Sequence, residues 1–133
     1  MRSKTYIIKI PPIAWMRVGV SRAANHLKFY DRQANDKLYF GIEAARQHDD
    51  EPLFDKPFML DACFYLQRPR VGKNKKLGYP VHGDTDNYCK FLLDGLQSVI
   101  FTNDRLCVVI HAKKLYADGG TEARTEFTIT EVE

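Results

Sequence analysis

Residues 82–96 read HGDTDNYCKFLLDGL. Asp84, Asp86 and Asn87 crowd the point where a helix has to begin. Tyr88, Phe91, Leu92 and Leu96 then recur at helical spacing, a stripe that Val99 and Ile100 carry on to residue 100. Upstream, FMLDACFYLQ at 58–67 alternates: Phe58, Leu60, Ala62 and Phe64 share one face, Met59, Asp61, Cys63 and Tyr65 the other. That is the pattern of a strand. Downstream, RLCVVIHAKKLY at 105–116 is apolar on both faces and predicts a buried strand. The helix therefore lies between two strands, and TND at 102–104 is the turn that follows it.

The rest of the chain extends this frame. KTYIIKI, 4–10, predicts a strand that Pro11 and Pro12 stop. Residues 13–33 carry no clear period. NDKLYFGIEAARQH, 35–48, predicts a helix with Leu38, Ile42 and Ala45 on one face and Asp36 as N-cap, weakened at Gly41 by about 1 kcal/mol. Residues 49–57 read as a loop. ADGG, 117–120, predicts a hairpin turn into ARTEFTITEV, 123–132, where Phe127 and Ile129 point inward and Glu126, Thr128 and Thr130 outward. The expected fold class is α+β (mixed α/β): strand-helix-strand-helix-strand-strand, a four-stranded mixed sheet covered by two helices, in one domain spanning 1–133.

Composition narrows the class. The 133 residues are 44% hydrophobic and 28% charged, as in ordinary globular domains. No apolar run is long enough for a membrane span. The basic start MRSKTYIIKIPP is too short and too broken by Lys9 to serve as a signal peptide. Cys63, Cys89 and Cys107 stand far apart, which argues for reduced, buried thiols and a cytoplasmic protein; a zinc site converging from three elements is the lesser alternative. The net charge is +3, from 20 basic and 17 acidic residues. Residues 66–83 alone hold Arg68, Arg70, Lys73, Lys75 and Lys76 and no acid, so the remainder of the chain is net negative. A cationic loop directly upstream of the aspartates suits a polyanion.

On a helical wheel Asp86, Lys90 and Asp94 span about 80° on the side away from the apolar stripe. Each has a structural explanation: an aspartate favours the head of a helix, and Asp86–Lys90 and Lys90–Asp94 are i,i+4 pairs. Taken with Asp84 and Asp104 they suggest more, if helix, turn and strand bring Asp84, Asp86 and Asp104 to one end of the sheet. Carboxylates about 4 Å apart repel by about 4 kcal/mol at an effective dielectric of about 20, so such a set calls for a cation. Oxygen ligands suit Mg²⁺, with Mn²⁺ as a substitute. A hard metal beside a basic loop fits phosphodiester hydrolysis, with Lys90 offsetting charge on the phosphate in the transition state.

DTDNYCKFLLDGL, Asp84 to Leu96, followed by NDRLCV, Asn103 to Val108, resembles the signature of the RusA family, small dimeric Holliday junction resolvases of bacteria and phages. The family pattern is D-x-D-N-x-x-K, a further aspartate and leucine on the same helix, then an aspartate ahead of a strand. The strand ending in Pro11-Pro12 and the C-terminal TEFTITE fit it as well. The resemblance implies that Asp84, Asp86 and Asp104 bind the divalent cation and that Lys90 is the catalytic lysine, with Asn87 and Asp94 supporting. It implies a homodimer acting on branched DNA in recombination and repair, with paired symmetric nicks and no organic cofactor. One departure is that LGYPVHG, 77–83, separates the basic run from Asp84, where the family's run sits immediately before its first aspartate.

Two rival readings belong beside this one. A non-catalytic module that binds DNA junctions would use the acids only as helix caps and ion pairs, and a metal-dependent enzyme could act instead on nucleotides. Among the remaining residues, His82 reads as a solvated loop histidine and His111 as a core residue. Trp15 and Tyr30, near Arg17, Arg22 and Lys28, have the chemistry to stack on unpaired bases, although packing against the sheet is the commoner fate of aromatics.

Overall fold

The computed structural model describes residues 1–133 apart from 24–25, 71 and 73–77. Its elements are β1 (Ser3–Ile8), β2 (Gly19–Ala23), β3 (His26–Tyr30), α1 (Ala34–His48), β4 (Phe58–Leu66), α2 (Thr85–Leu96), a 3₁₀ turn (Asp104–Leu106), β5 (Cys107–Tyr116) and β6 (Arg124–Glu131). Four strands form a mixed sheet in the order β1-β6-β4-β5, antiparallel except for the parallel pair β4–β5. β2 and β3 form a separate antiparallel ribbon within the segment that showed no period. The expected α+β architecture, a four-stranded mixed sheet with two helices, is what the chain adopts.

The core lies between one sheet face and the helices. Alternation along β4 and β6 buries Phe58, Leu60, Ala62, Phe64, Phe127 and Ile129, as the sequence predicts. α2 contributes Tyr88, Phe91, Leu92 and Leu96. On α1 the buried face is Phe40, Ala44 and His48, while Leu38 and Ile42 are exposed, opposite to the expected stripe. Two apolar stripes interleave on this helix, and the one carrying the larger ring wins, with Phe40 packing edge-on against Phe91 at 5.7 Å between centroids. Gln33, rather than Asp36, occupies the N-cap position of α1.

Three more expectations are corrected by topology. α2 ends at Leu96, because Gln97 is extended and Ser98 takes φ +66°; the next residues then run beside Phe54, whose N–H donates to Ile100 O at 2.9 Å. ADGG makes no hairpin, since β5 and β6 flank β4 on opposite sides and the link crosses the end of β4, where Ala117 N–H donates to Leu66 O at 2.8 Å. β5 is an edge strand rather than a buried one, with Val108 56% and Ile110 46% exposed, and His111 is exposed with them. The thiols are free, with Cys63 and Cys89 buried and Cys107 half-buried.

At the far edge of the core, His48 Nε2 stands 3.1 Å from Pro52 O, and Tyr6 Oη stands 2.6 Å from His48 Nδ1. A carbonyl only accepts, so Nε2 carries the proton and Tyr6 donates to Nδ1. Burial, helped by the charge of Glu51, pushes the Tyr6 hydroxyl up to about 12. The Tyr6→Phe variant leaves a buried acceptor unmet and should lose about 1–3 kcal/mol of stability in urea denaturation at pH 7. The raised value has a second consequence. Between pH 10 and about 12 the unfolded chain ionises Tyr6 before the folded one does. Wild-type stability should therefore fall across that window, and the Tyr6→Phe variant should fall less steeply.

Candidate active site

α2 begins one residue after Asp84, which takes the N-cap position with extended backbone. Its carbonyl accepts from the N–H groups of Asn87 and Tyr88 at 3.0 and 3.2 Å. Its carboxylate makes no capping bond to the helix backbone; the Asn87 amide donates to Oδ2 at a long 3.4 Å. Asp86, in the first turn, is exposed and forms no ion pair with a cation among the described residues. Two carboxylates thus stand together at the head of a helix, and neither is consumed by capping.

Lys90 lies one turn further on, exposed as the wheel predicts, but it does not pair with Asp86 or Asp94. Its ammonium sits over the Trp15 ring, 4.6 Å from the centroid. The Trp15 backbone N–H donates to Asn87 O at 3.0 Å, which ties this residue to α2. Asp86 and Lys90 line a cleft of about 520 Å³ between α2 and β5, with Ile110 and Ala112 on its other wall. Asp94 is engaged elsewhere. Lys37 of α1 bridges it at 2.6 Å and Asp31 at 2.7 Å, which clamps the two helices together. The Lys37 hydrogen bond, with a second from the Gln33 backbone, holds the Asp31 carboxyl below its ordinary range.

Asp104 is not brought to this end. It opens the 3₁₀ turn, exposed, and its N–H donates to Gln97 Oε1 at 2.9 Å, just past the far end of α2. Twelve helical residues at about 1.5 Å each put about 18 Å between the two ends. Consistently, no three Asp, Glu, His or Cys side chains among the described residues stand close enough to share a metal. The thiols offer no substitute. Burial, then the nearby Cys107 and Asp86, pushes Cys89 up to about 11, and burial raises Cys107 as well, so both stay protonated and are poor ligands.

The cationic loop divides. Arg68 forks onto Asp118 at 2.8 and 3.0 Å and lies over the Tyr116 ring, while Arg70 is exposed. Lys73, Lys75 and Lys76 fall outside the described residues. One contributor was missed by sequence reasoning: Lys114 of β5 donates to Gly83 O at 2.8 Å and approaches His82 O at 3.4 Å, anchoring the segment that delivers Asp84. Only its position near the end of a lysine-bearing strand hinted at this. His82 itself is exposed, in keeping with a solvated loop residue.

Residues 9–130 match the model of a protein family described as Endodeoxyribonuclease RusA. The chain belongs to the RusA endodeoxyribonuclease family. The match spans β4, α2, β5 and all but the last residue of β6, and with them every element that presents Asp84, Asp86, Lys90 and Asp104. The chain is also similar to the uncharacterised protein YqaN of Bacillus subtilis (strain 168), at 26% identity over 126 residues, 87% of this chain and 86% of that protein.

Gly83, adjoining the first aspartate, has φ +75°, and an added Cβ would lie 2.2 Å from Tyr88 Oη. The Gly83→Ala variant should lose at least about 1–2 kcal/mol from the left-handed backbone alone, measured in urea. Pairing it with Tyr88→Phe should recover part of the loss by removing the hydroxyl that alanine strikes.

Proposed function

We propose that this protein is a divalent-metal-dependent, structure-specific endodeoxyribonuclease that resolves four-way DNA junctions as a homodimer, in recombination and repair. The observation that carries the reading is the pair of carboxylates not used in capping, Asp84 and Asp86, with Lys90 lining the same cleft as Asp86, in a chain of the RusA family. Their all-oxygen chemistry fits a hard cation, Mg²⁺ or in substitution Mn²⁺, which tolerates few protein ligands because it keeps several waters. When bound, such an ion acidifies a water and offsets phosphate charge. In the protein's own part, Asn87 orients the Asp84 carboxylate and Lys114 fixes the loop before it. Lys90, held over Trp15, meets the added negative charge of the transition state. Arg70 and the lysines of the basic loop hold the flanking phosphates.

The separation of Asp104 from this pair is accommodated by the dimer. β5 is an open edge carrying exposed Val108 and Ile110 beside the cleft. A symmetric dimer that pairs two such edges antiparallel sets the N-terminal end of one β5 against the C-terminal end of the other. The Asp104 of one protomer then approaches the Asp84 and Asp86 of its partner. Two sites related by a dyad suit a junction that is itself nearly two-fold symmetric, and paired nicks follow. The same separation is what favours the rival reading, a module that binds junctions without cutting them.

Two measurements decide. Asp84→Asn should abolish Mg²⁺-dependent cleavage of a synthetic four-way junction while binding in EDTA persists; cleavage at the wild-type rate would refute the assignment, and a wild-type protein that binds but never nicks would favour the non-catalytic module. Mixing an Asp84→Asn/Asp86→Asn chain with an Asp104→Asn chain should restore nicking to the fraction that forms mixed dimers, because one of their two sites is then wholly wild type. If all three acids acted within one chain, no mixture would recover activity.

A further inference from the structure

The ribbon β2–β3 packs chiefly on itself, yet its register places Val20 opposite Phe29 and Arg22 opposite Leu27 on one face. Val20, Leu27 and Phe29 are 50, 54 and 64% exposed, so this face is a contiguous apolar surface that none of the described residues covers. The opposite face is committed differently, since Tyr30 lies over Gly19 so closely that an added Cβ would sit 2.2 Å from its ring. Apolar side chains on an isolated two-stranded ribbon add little stability by themselves, and their exposure calls for a partner.

Charge and position select that partner. Arg22 shares that face with the apolar residues, Lys28 projects from the other face, and Arg17 and Arg32 bracket the ribbon in sequence; within 17–32 the one acid is Asp31, which is already paired with Lys37. A face that sets an aromatic ring and aliphatic groups beside an arginine, with further cations around it, matches nucleic acid whose bases are unstacked, which offers phosphates and base faces together. The ribbon is also stapled beside the cleft. The buried Gln33 side chain accepts from Met16 N–H at 2.9 Å and donates to Ala14 O at 2.7 Å, while Trp15 between them is tied to α2 and lies under Lys90. Five residues per strand let the ribbon reach about 16 Å from that base.

We propose that the ribbon is a wedge for the branch point of junction DNA: Phe29 and Leu27 enter among the unstacked bases, Arg22 holds the adjoining phosphate on the same face, and Arg17 and Lys28 meet phosphates of the arms to either side. The inference rests on the junction-cleaving reading above and adds to it the element that distinguishes a branch point from plain duplex.

The test uses the full-length protein and a four-way junction carrying 2-aminopurine at the branch point, with linear duplex as control, in EDTA. Wild type should raise the fluorescence as bases unstack. Phe29→Ala should lose that rise and bind the junction about tenfold more weakly, the loss of one aromatic stack, with duplex affinity unchanged. Arg22→Ala should weaken binding to both and reduce the salt slope by about one. Because Phe29 is exposed, thermal unfolding should match wild type. A Phe29→Ala protein that retains both the fluorescence rise and the junction affinity, while wild type cuts in Mg²⁺, overturns the wedge and leaves the nuclease standing. Loss of the dimer on sedimentation of Phe29→Ala also overturns it, since the apolar face would then be covered by a second copy. A wild type that neither binds nor cuts the junction removes the functional reading and the wedge with it.

Discussion

A parallel pair of strands cannot be joined by a tight turn; the chain has to travel back along the sheet before the second strand begins. In this fold β4 and β5 are that pair, and α2 is the return path. The consequence reaches the chemistry. α2 must start where β4 ends and finish where β5 begins, so Asp84 and Asp86 stand at one end of the sheet and Asp104 at the other. β4, like β6, is paired on both sides, antiparallel to β6 and parallel to β5, and its buried residues Phe58, Leu60, Ala62 and Phe64 form the centre of the core floor. Moving any residue of the site would mean moving this strand.

Features with short-range causes were legible in the sequence. Alternation along β4 and β6 and the stripe on α2 gave the buried faces, because a strand or helix with one dominant apolar face has one way to bury it. The exposed ridge of Asp86, Lys90 and Asp94 followed from the same wheel. Asp94 shows the limit of that reasoning: the wheel puts it outside, but only packing shows Lys37 of another helix closing on it. α1 misled because two stripes of similar strength interleave, and the choice between them belongs to Phe91 on a different element. β5 misled because apolar residues on both faces look alike whether a strand is covered by its own chain or waits for another.

Asp104 illustrates a subtler failure. Its distance in sequence from Asp84 is compatible with either end of the sheet, and only the direction of the intervening helix decides. Local spacing identifies a residue type ahead of a strand; it does not say which way that strand runs relative to its neighbour. The ribbon β2–β3 was illegible for another reason. Its alternation runs across a two-stranded register, so Val20 and Phe29 become neighbours only once the strands pair.

The open β5 edge and the divided carboxylates are connected. An exposed edge with Val108 and Ile110 beside it invites pairing with another chain, and natural proteins blunt such edges when no partner is intended. Here the edge is long, bears no proline, and borders the cleft that holds Asp86 and Lys90. On the proposed reading, a single chain therefore carries two of three carboxylates in any one place, and assembly supplies the third. Two carboxylates bind a hydrated cation weakly, so a lone protomer would be a poor nuclease on ordinary duplex. On the same reading, coupling ligand completion to a two-fold assembly would make cutting depend on the symmetry that a four-way junction shares with the proposed dimer.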